Sequence, residues 1–376
     1  MRLRPVLLVL GAVLVAALVT GIVYRTWIAA QARATAVLST TLETPVLTWM
    51  VRQLTREPRV EETEIAGVPT TLVRPGGDGP WPAFVFLNGA TELGRAHPDV
   101  QRLSRGLARA GFLVLVPDVP GLIRGELTEA MVDKAAELGV VAAERPDATG
   151  RVALFGASLG ATIALLAAER DELAGRVSVV VGIAPYTDLV NVIRLATTGY
   201  TRVGNRIERY TPAPFLSLAV ARSVAAGLPD SAARDKLVSL LADVRSDAPD
   251  PLASLRGLEV EDPTARAALE ILLNHDPQRF DRLYSALPVE VRDQIAALSP
   301  VTRAERLEMP VELASAPRDA YFPAAESRNL ALAAPDVRVT VTDAFTHVIP
   351  QPSLTDPGDF FAFDGWAVRA LHAARQ

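Results

Sequence analysis

The sequence predicts an α/β fold: a mostly parallel central sheet flanked by helices, with a helical cap inserted late in the chain and a transmembrane helix at its N-terminus. Three observations predict it. Short, nearly continuous apolar runs between Pro82 and Ile183 alternate with helical stretches, and runs of this kind mark strands buried on both faces, as in a parallel sheet. The alternation stops between Tyr186 and Pro300, where helical patterns follow one another, and then resumes. An uncharged stretch from Pro5 to Tyr24 opens the chain, about 20 residues long and so sufficient for the ~30 Å hydrocarbon core of a bilayer.

Taken in order, Arg2 and Arg4 precede that apolar stretch and Arg25 closes it. The basic end predicts an N-terminus kept in the cytoplasm and a body outside the membrane. An uncleaved anchor competes with a signal peptide cut after Ala30-Gln31-Ala32 and a secreted product; the length of the run favours the anchor. Residues 1–30 are thus read as anchor or signal and 31–58 as a connecting helical region, a kinked or broken helix over Ala34 to Leu54 with Pro45 inside it. Residues 59–376 form the main domain. Val60 to Ile65 and Thr70 to Val73, parted by Gly67, predict a hairpin. Strands follow at Pro82 to Leu87, Gly111 to Val116, Arg151 to Phe155 and Arg176 to Ile183, with helices at Asp99 to Ala110, Glu126 to Glu144 and Ser158 to Arg170. The cap, 186–300, carries helices at Pro214 to Gly227, Ser231 to Ala242, Pro263 to Leu273 and Pro277 to Ala286, without a convincing strand. Strands at Met309 to Ser315 and Val337 to Thr342, with helices at Ala324 to Ala333 and Phe360 to Ala374, complete the domain.

Composition narrows the function. The 376 residues are 49% hydrophobic, enough for a large core, and the net charge of -5 without a long basic run argues against nucleic acid as the main partner. Cysteine is absent, which excludes disulfides, thiolate metal sites and a cysteine nucleophile. No phosphate-cradling Gly-x-x-x-x-Gly-Lys, no His-Glu-x-x-His and no calcium loop occurs, so no metal or cofactor is expected. The acidic stretch from Asp243 to Asp262 reads as a solvated cap loop.

Gly156-Ala157-Ser158-Leu159-Gly160 joins an apolar strand to an Ala/Leu-rich helix. A serine on so sharp a strand-to-helix turn adopts a strained backbone and needs small residues two positions to either side, which marks Ser158 as a candidate nucleophile. A serine hydroxyl needs a base, and the base needs an acid to hold its tautomer. Of the four histidines, His347 lies just past the last predicted strand, at the C-terminal sheet edge where ligands of open α/β folds bind. His275 falls in the cap, His372 in the final helix, and His97 in a loop where it packs, faces solvent or touches substrate. Asp319, after the strand ending at Ser315, is the candidate acid; Asp343 is a weaker rival, too close to His347 along the chain.

At these residues the chain resembles the α/β-hydrolase superfamily, in the order Ser158, Asp319, His347 and in the helical insert before the strand bearing the acid. The resemblance spans roughly Val60 to Ala374. Leu298-Ser299-Pro300, Met309-Pro310-Val311, Asp319, Pro323 and Glu326-Ser327 are similar to the dienelactone-hydrolase and prolyl-oligopeptidase-like branches, where the acid loop commonly reads Gly-x-x-Asp-x-x-Val-Pro. Ala316 and Phe322 replace the glycine and valine here, and the cysteine of a dienelactone hydrolase is missing. An oxyanion needs two N–H donors. One is expected from Leu159, at the start of the elbow helix; the resemblance implies Ala90 as the other, in Asn88-Gly89-Ala90-Thr91, where relatives often carry His-Gly. The expectation is a membrane-anchored serine hydrolase cleaving small-molecule carboxylic esters or other acyl substrates. The alternatives are a prolyl-oligopeptidase-like peptidase and a non-catalytic, membrane-tethered binding protein.

Overall fold

The computed structural model describes residues 24–351 and 357–376. The apolar segment from Pro5 onward therefore lies, but for Tyr24, outside the described residues; among these, no helix is long and apolar enough to cross a membrane.

The described chain begins with a helix over residues 24–41, α1, followed by α2 (Pro45–Leu54). Pro45 opens the second helix, where its missing N–H costs nothing, so the connecting region is two helices. Ala30, Ala34 and Val37 of α1 are buried, whereas α2 leaves Val46, Leu47, Trp49 and Met50 exposed. β1 (Arg59–Ile65) and β2 (Val68–Arg74) form the predicted hairpin, in register from Arg59↔Arg74 to Ile65↔Val68. The alternation then runs β3 (Trp81–Leu87), α3 (Pro98–Arg109), β4 (Leu113–Pro117), α4 (Glu129–Glu144), β5 (Ala148–Ala157), α5 (Leu159–Ala168) and β6 (Val177–Ile183).

The cap contains α6 (Leu189–Thr198), a hairpin of β7 (Tyr200–Val203) and β8 (Arg206–Arg209), then α7 (Pro214–Ala226), α8 (Ala232–Ala242), α9 (Pro263–Leu272), α10 (Phe280–Ala286) and α11 (Val289–Ala297). The hairpin corrects the expectation of a strand-free cap. Its physical cause is the two-residue turn Gly204-Asn205, with Gly204 at φ 58, between segments bearing Thr201, Val203 and Ile207. The domain closes with β9 (Val311–Ser315), α12 (Ala324–Ala333), β10 (Val337–Val341), the short pair β11 (Phe345–Thr346) and β12 (Ile349–Pro350), and α13 (Pro357–Ala373).

The main sheet has the order β1-β2-β4-β3-β5-β6-β9-β10. From β4 to β10 every neighbour is parallel, and β2 alone runs the other way, pairing antiparallel with both β1 and β4. Two apolar layers sandwich it. One joins α4, α5 and α12 to the cap; the other holds α1, α3 and α13 against Phe84, Phe86, Phe155 and Val181. In the second layer α1 crosses α3 closely, since a Cβ on Gly106 would lie 3.1 Å from the Val37 carbonyl oxygen.

Candidate active site

The strand-helix junction after β5 holds Ser158 at φ 53, ψ -125. A backbone in so sparsely populated a region costs about 1–3 kcal/mol, and it is tied at both ends: the Ser158 N–H donates to the Ile183 carbonyl at 2.7 Å, and the Ser158 carbonyl accepts from Ala161 N–H at 2.9 Å. A Cβ on Gly156 would overlap the backbone of Gly160 and Ala161, and one on Gly160 would overlap the carbonyl oxygens of Leu87 and Asn88. The glycines are thus imposed by the close approach of α5 to the sheet.

Two later strands supply the partners of the serine. His347 sits beyond β10, first in the two-residue turn His347-Val348 between β11 and β12, at φ 52. Its Nε2 lies 2.9 Å from Ser158 Oγ and its Nδ1 lies 2.9 and 3.0 Å from the two carboxylate oxygens of Asp319. Asp319 follows β9, and its side chain is fully buried. Its Oδ1 also accepts from the N–H groups of Tyr321 (2.7 Å) and Phe322 (3.0 Å), an Asx-type turn that offsets the desolvation of the charge. The ring of Tyr321 packs 4.5 Å from that of His347. Asp343 is half exposed and faces Arg318 at 3.8 Å, away from this chain of hydrogen bonds.

The other histidines take different places. His97 accepts from Asp99 N–H to cap α3 and lines the cavity around Ser158, His275 meets the Thr197 carbonyl, and His372 stacks on Trp27. Beyond β3, Asn88 braces the donor loop: its Nδ2 donates to the Gly94 carbonyl and its Oδ1 accepts from Gly89 N–H, both at 2.9 Å. Leu159 and Ala90 both line the cavity around Ser158, and among the described residues neither backbone N–H donates to a protein acceptor.

The model of the S15 family, described as X-Pro dipeptidyl-peptidase, matches residues 66–209, a stretch that includes Ser158 and stops short of Asp319 and His347. That match covers less than half of the chain; with the strand order and the hydrogen-bonded Ser, His and Asp it indicates a serine hydrolase of the α/β-hydrolase fold. Among solved structures this hydrolase is similar to an acylaminoacyl peptidase from Pyrococcus horikoshii, at 12% identity and TM-score 0.46, over 81% of this chain and 40% of that one. It is also similar to a thermostable esterase from Pseudomonas putida, at 17% identity and TM-score 0.46, over 89% and 90% of the two chains. The hydrolase thus spans less than half the length of the acylaminoacyl peptidase. No curated protein matches it.

Sequence reasoning passed over the residues that hold the acid loop. Tyr210, just past the cap hairpin, donates its hydroxyl to the Asp319 carbonyl, and Ala213 N–H donates to the Ala320 carbonyl at 2.7 Å. Burial, and secondarily the charge of Asp319, push the Tyr210 phenol up to about 12, so it remains a donor at neutral pH. Glu326 on α12 is buried, and accepts from the N–H groups of Thr187 (2.9 Å) and Asp188 (3.0 Å) and from the Asn191 amide. Burial pushes its carboxyl up to about 7 against those donors. Glu326 appeared in the sequence only as part of a resemblance, and nothing in its own neighbourhood signals that its partners lie more than 130 residues earlier.

Proposed function

We propose that the hydrolase cleaves carboxylic esters through an acyl-Ser158 intermediate. Ser158 Oγ attacks the carbonyl while His347 Nε2 takes its proton; Asp319 holds Nδ1–H and stabilises the imidazolium. The N–H groups of Leu159 and Ala90 receive the oxyanion. His347 returns the proton to the leaving alcohol, and water then repeats the sequence to release the acid. The observation that carries this reading is the continuous hydrogen-bonded line from Ser158 Oγ through His347 to Asp319, with 2.9 Å at each step.

An ester is preferred to a peptide because the cavity offers little to hold a peptide. Asp99 is the only acidic residue lining it among the described residues, and that carboxylate is already engaged by Arg102 and by the N-terminal turn of α3. The S15 match favours the second reading, a peptidase. A fluorophosphonate probe is expected to label the wild type and to leave Ser158→Ala unlabelled. A panel of p-nitrophenyl esters and aminoacyl anilides separates the two readings, and anilides turned over faster than every ester would reverse the preference. Failure to label the wild type at Ser158 would leave a non-catalytic protein on the same fold. We further propose that the segment from Pro5 to Tyr24 anchors the hydrolase with its N-terminus cytoplasmic and its catalytic domain outside; mass spectrometry of the mature N-terminus tests this against cleavage and secretion.

A further inference from the structure

The cavity at Ser158, about 410 Å³, is of the size that holds a small ligand, and it does not end beneath the cap. Its apolar lining divides into two sides, here called arms, that belong to different layers of the fold. Leu189, Val192, Leu216 and Val220 line the first arm and are part of the cap-side layer. Leu38, Phe84, Phe86, Leu103 and Trp366 line the second and are part of, or packed against, the layer of α1, α3 and α13. The arms meet at the C-terminal edge of the sheet, where Ser158 stands. Phe84 and Phe86 are two residues apart on one face of β3, so at about 3.3 Å per residue the second arm descends some ~7 Å along the sheet.

Among the described residues, the second arm offers a substrate few polar groups. The hydroxyl of Thr41 donates to the Val37 carbonyl, the indole N–H of Trp366 to the Glu312 carbonyl, and His97 caps α3. Whatever lies there is chosen by apolar length and width. The leaving group has to sit against His347 Nε2, which delivers its proton, and that imidazole packs on Tyr321, which in turn meets Phe215 of the cap. On that contact we assign the cap-side arm to the leaving group and the second arm to the acyl group.

We propose that the second arm binds the hydrocarbon chain of a long-chain acyl ester, and that α1, which precedes the strand-helix alternation, sets its capacity through Leu38. This rests on the ester-hydrolase reading above and names the substrate class of that site. The test uses the full chain and p-nitrophenyl esters from acetate through butyrate and octanoate to dodecanoate, below their micelle concentrations, with Ser158 labelling by fluorophosphonate in parallel. In the wild type kcat/KM is expected to rise with acyl length by up to about fourfold per methylene, the ~0.8 kcal/mol of a buried methylene. Leu38→Trp, from α1, and Leu103→Trp, from α3, are each expected to lower the dodecanoate-to-acetate ratio at least tenfold, two helices being used so that one misfolded variant does not decide the matter. Leu332→Trp, on the exposed face of α12, keeps the wild-type ratio. A ratio that is flat or falls with length in a wild type that cleaves acetate overturns the proposal and leaves the esterase reading standing. So does a length dependence untouched by both tryptophans, or one confined to the alcohol in a series of alkyl acetates. No labelling and no cleavage of any ester overturns the esterase reading itself.

Discussion

Replacing Asp319 by asparagine separates orientation of the base from support of the loop. The carboxylate makes three kinds of contact: Oδ1 accepts from Tyr321 N–H at 2.7 Å and from Phe322 N–H at 3.0 Å, and the pair of oxygens faces His347 Nδ1 at 2.9 and 3.0 Å. An asparagine that keeps its Oδ1 toward the two backbone donors presents its NH₂ to Nδ1. The imidazole must then accept at Nδ1 and carry its proton on Nε2, so no lone pair faces Ser158 Oγ. The turn survives, and the fold is expected to lose no more than about 2 kcal/mol, whereas Asp319→Ala would leave two buried N–H groups unpaired at about 1–3 kcal/mol each. Catalysis is expected to fall by about ten-thousand-fold, or ~5 kcal/mol of transition-state stabilisation. The assay is kcat for a p-nitrophenyl ester that the wild type cleaves, with thermal unfolding to show that the variant is folded. Asp343→Asn, exposed and facing Arg318, serves as the comparison and is expected to stay within about twofold of wild type. Asp319→Asn retaining more than a tenth of wild-type activity would refute the reasoning.

Asn88→Ala removes both hydrogen bonds that brace the donor loop and is expected to lower kcat by about 10- to 100-fold with little change in KM, short of the loss of a whole oxyanion donor; steady-state kinetics with kcat unchanged would sink the idea. Gly160→Ala drives a methyl group into the carbonyl oxygens of Leu87 and Asn88, which are backbone and cannot turn aside, so about 3 kcal/mol or more of stability should go; an unaltered Tm in a thermal melt would show the close approach to be absent. Glu169 is buried with Oε1 unpartnered, and burial pushes its carboxyl up to about 9. The unfolded chain releases this proton near pH 4.5 and the folded chain near pH 9, so its stability contribution is whole below the first value and is lost as pH rises through the second. Glu169→Gln should therefore stabilise the protein little at pH 5 and by a few kcal/mol at pH 8, on the order of 1.4 kcal/mol per pH unit between; equal gains in denaturant unfolding at both pH values would contradict it.

The main sheet was legible because its strands are buried on both faces. Phe84 to Leu87, Leu113 to Val116 and Val152 to Phe155 are apolar without interruption, short β-branched and aromatic runs of the kind a sandwiched strand demands. Ser158, Asp319 and His347 could be picked as candidates for a related reason: each lies a few residues past such a strand, and parallel strands bring all their C-terminal ends to one edge. The cap was less legible. Its helices α6 and α11 and its hairpin depend on contacts inside the insertion, and the local signals among them were brief: Asp188 and Gly199 at the two ends of α6 and Gly204-Asn205 in the hairpin. The wall formed by α1 was hidden because Val37 and Leu38 have the same spacing whether they pack against a helix or border a cavity. Tyr210 and Glu326 were invisible as supports, since a polar residue that will bond a distant carbonyl looks like any other in one dimension.

The cap is fastened to the loop that carries Asp319. Tyr210 and Ala213 grip the carbonyls of Asp319 and Ala320 on one side, while Glu326 clasps Thr187, Asp188 and Asn191 at the other root of the insertion. A swing of α7 would drag on the backbone of Asp319, and so on its contact with His347. Among the described residues no hydrogen bond ties the cap beyond Gly227 to the acid loop, so displacement of α8 to α11 need not disturb the contact between Asp319 and His347.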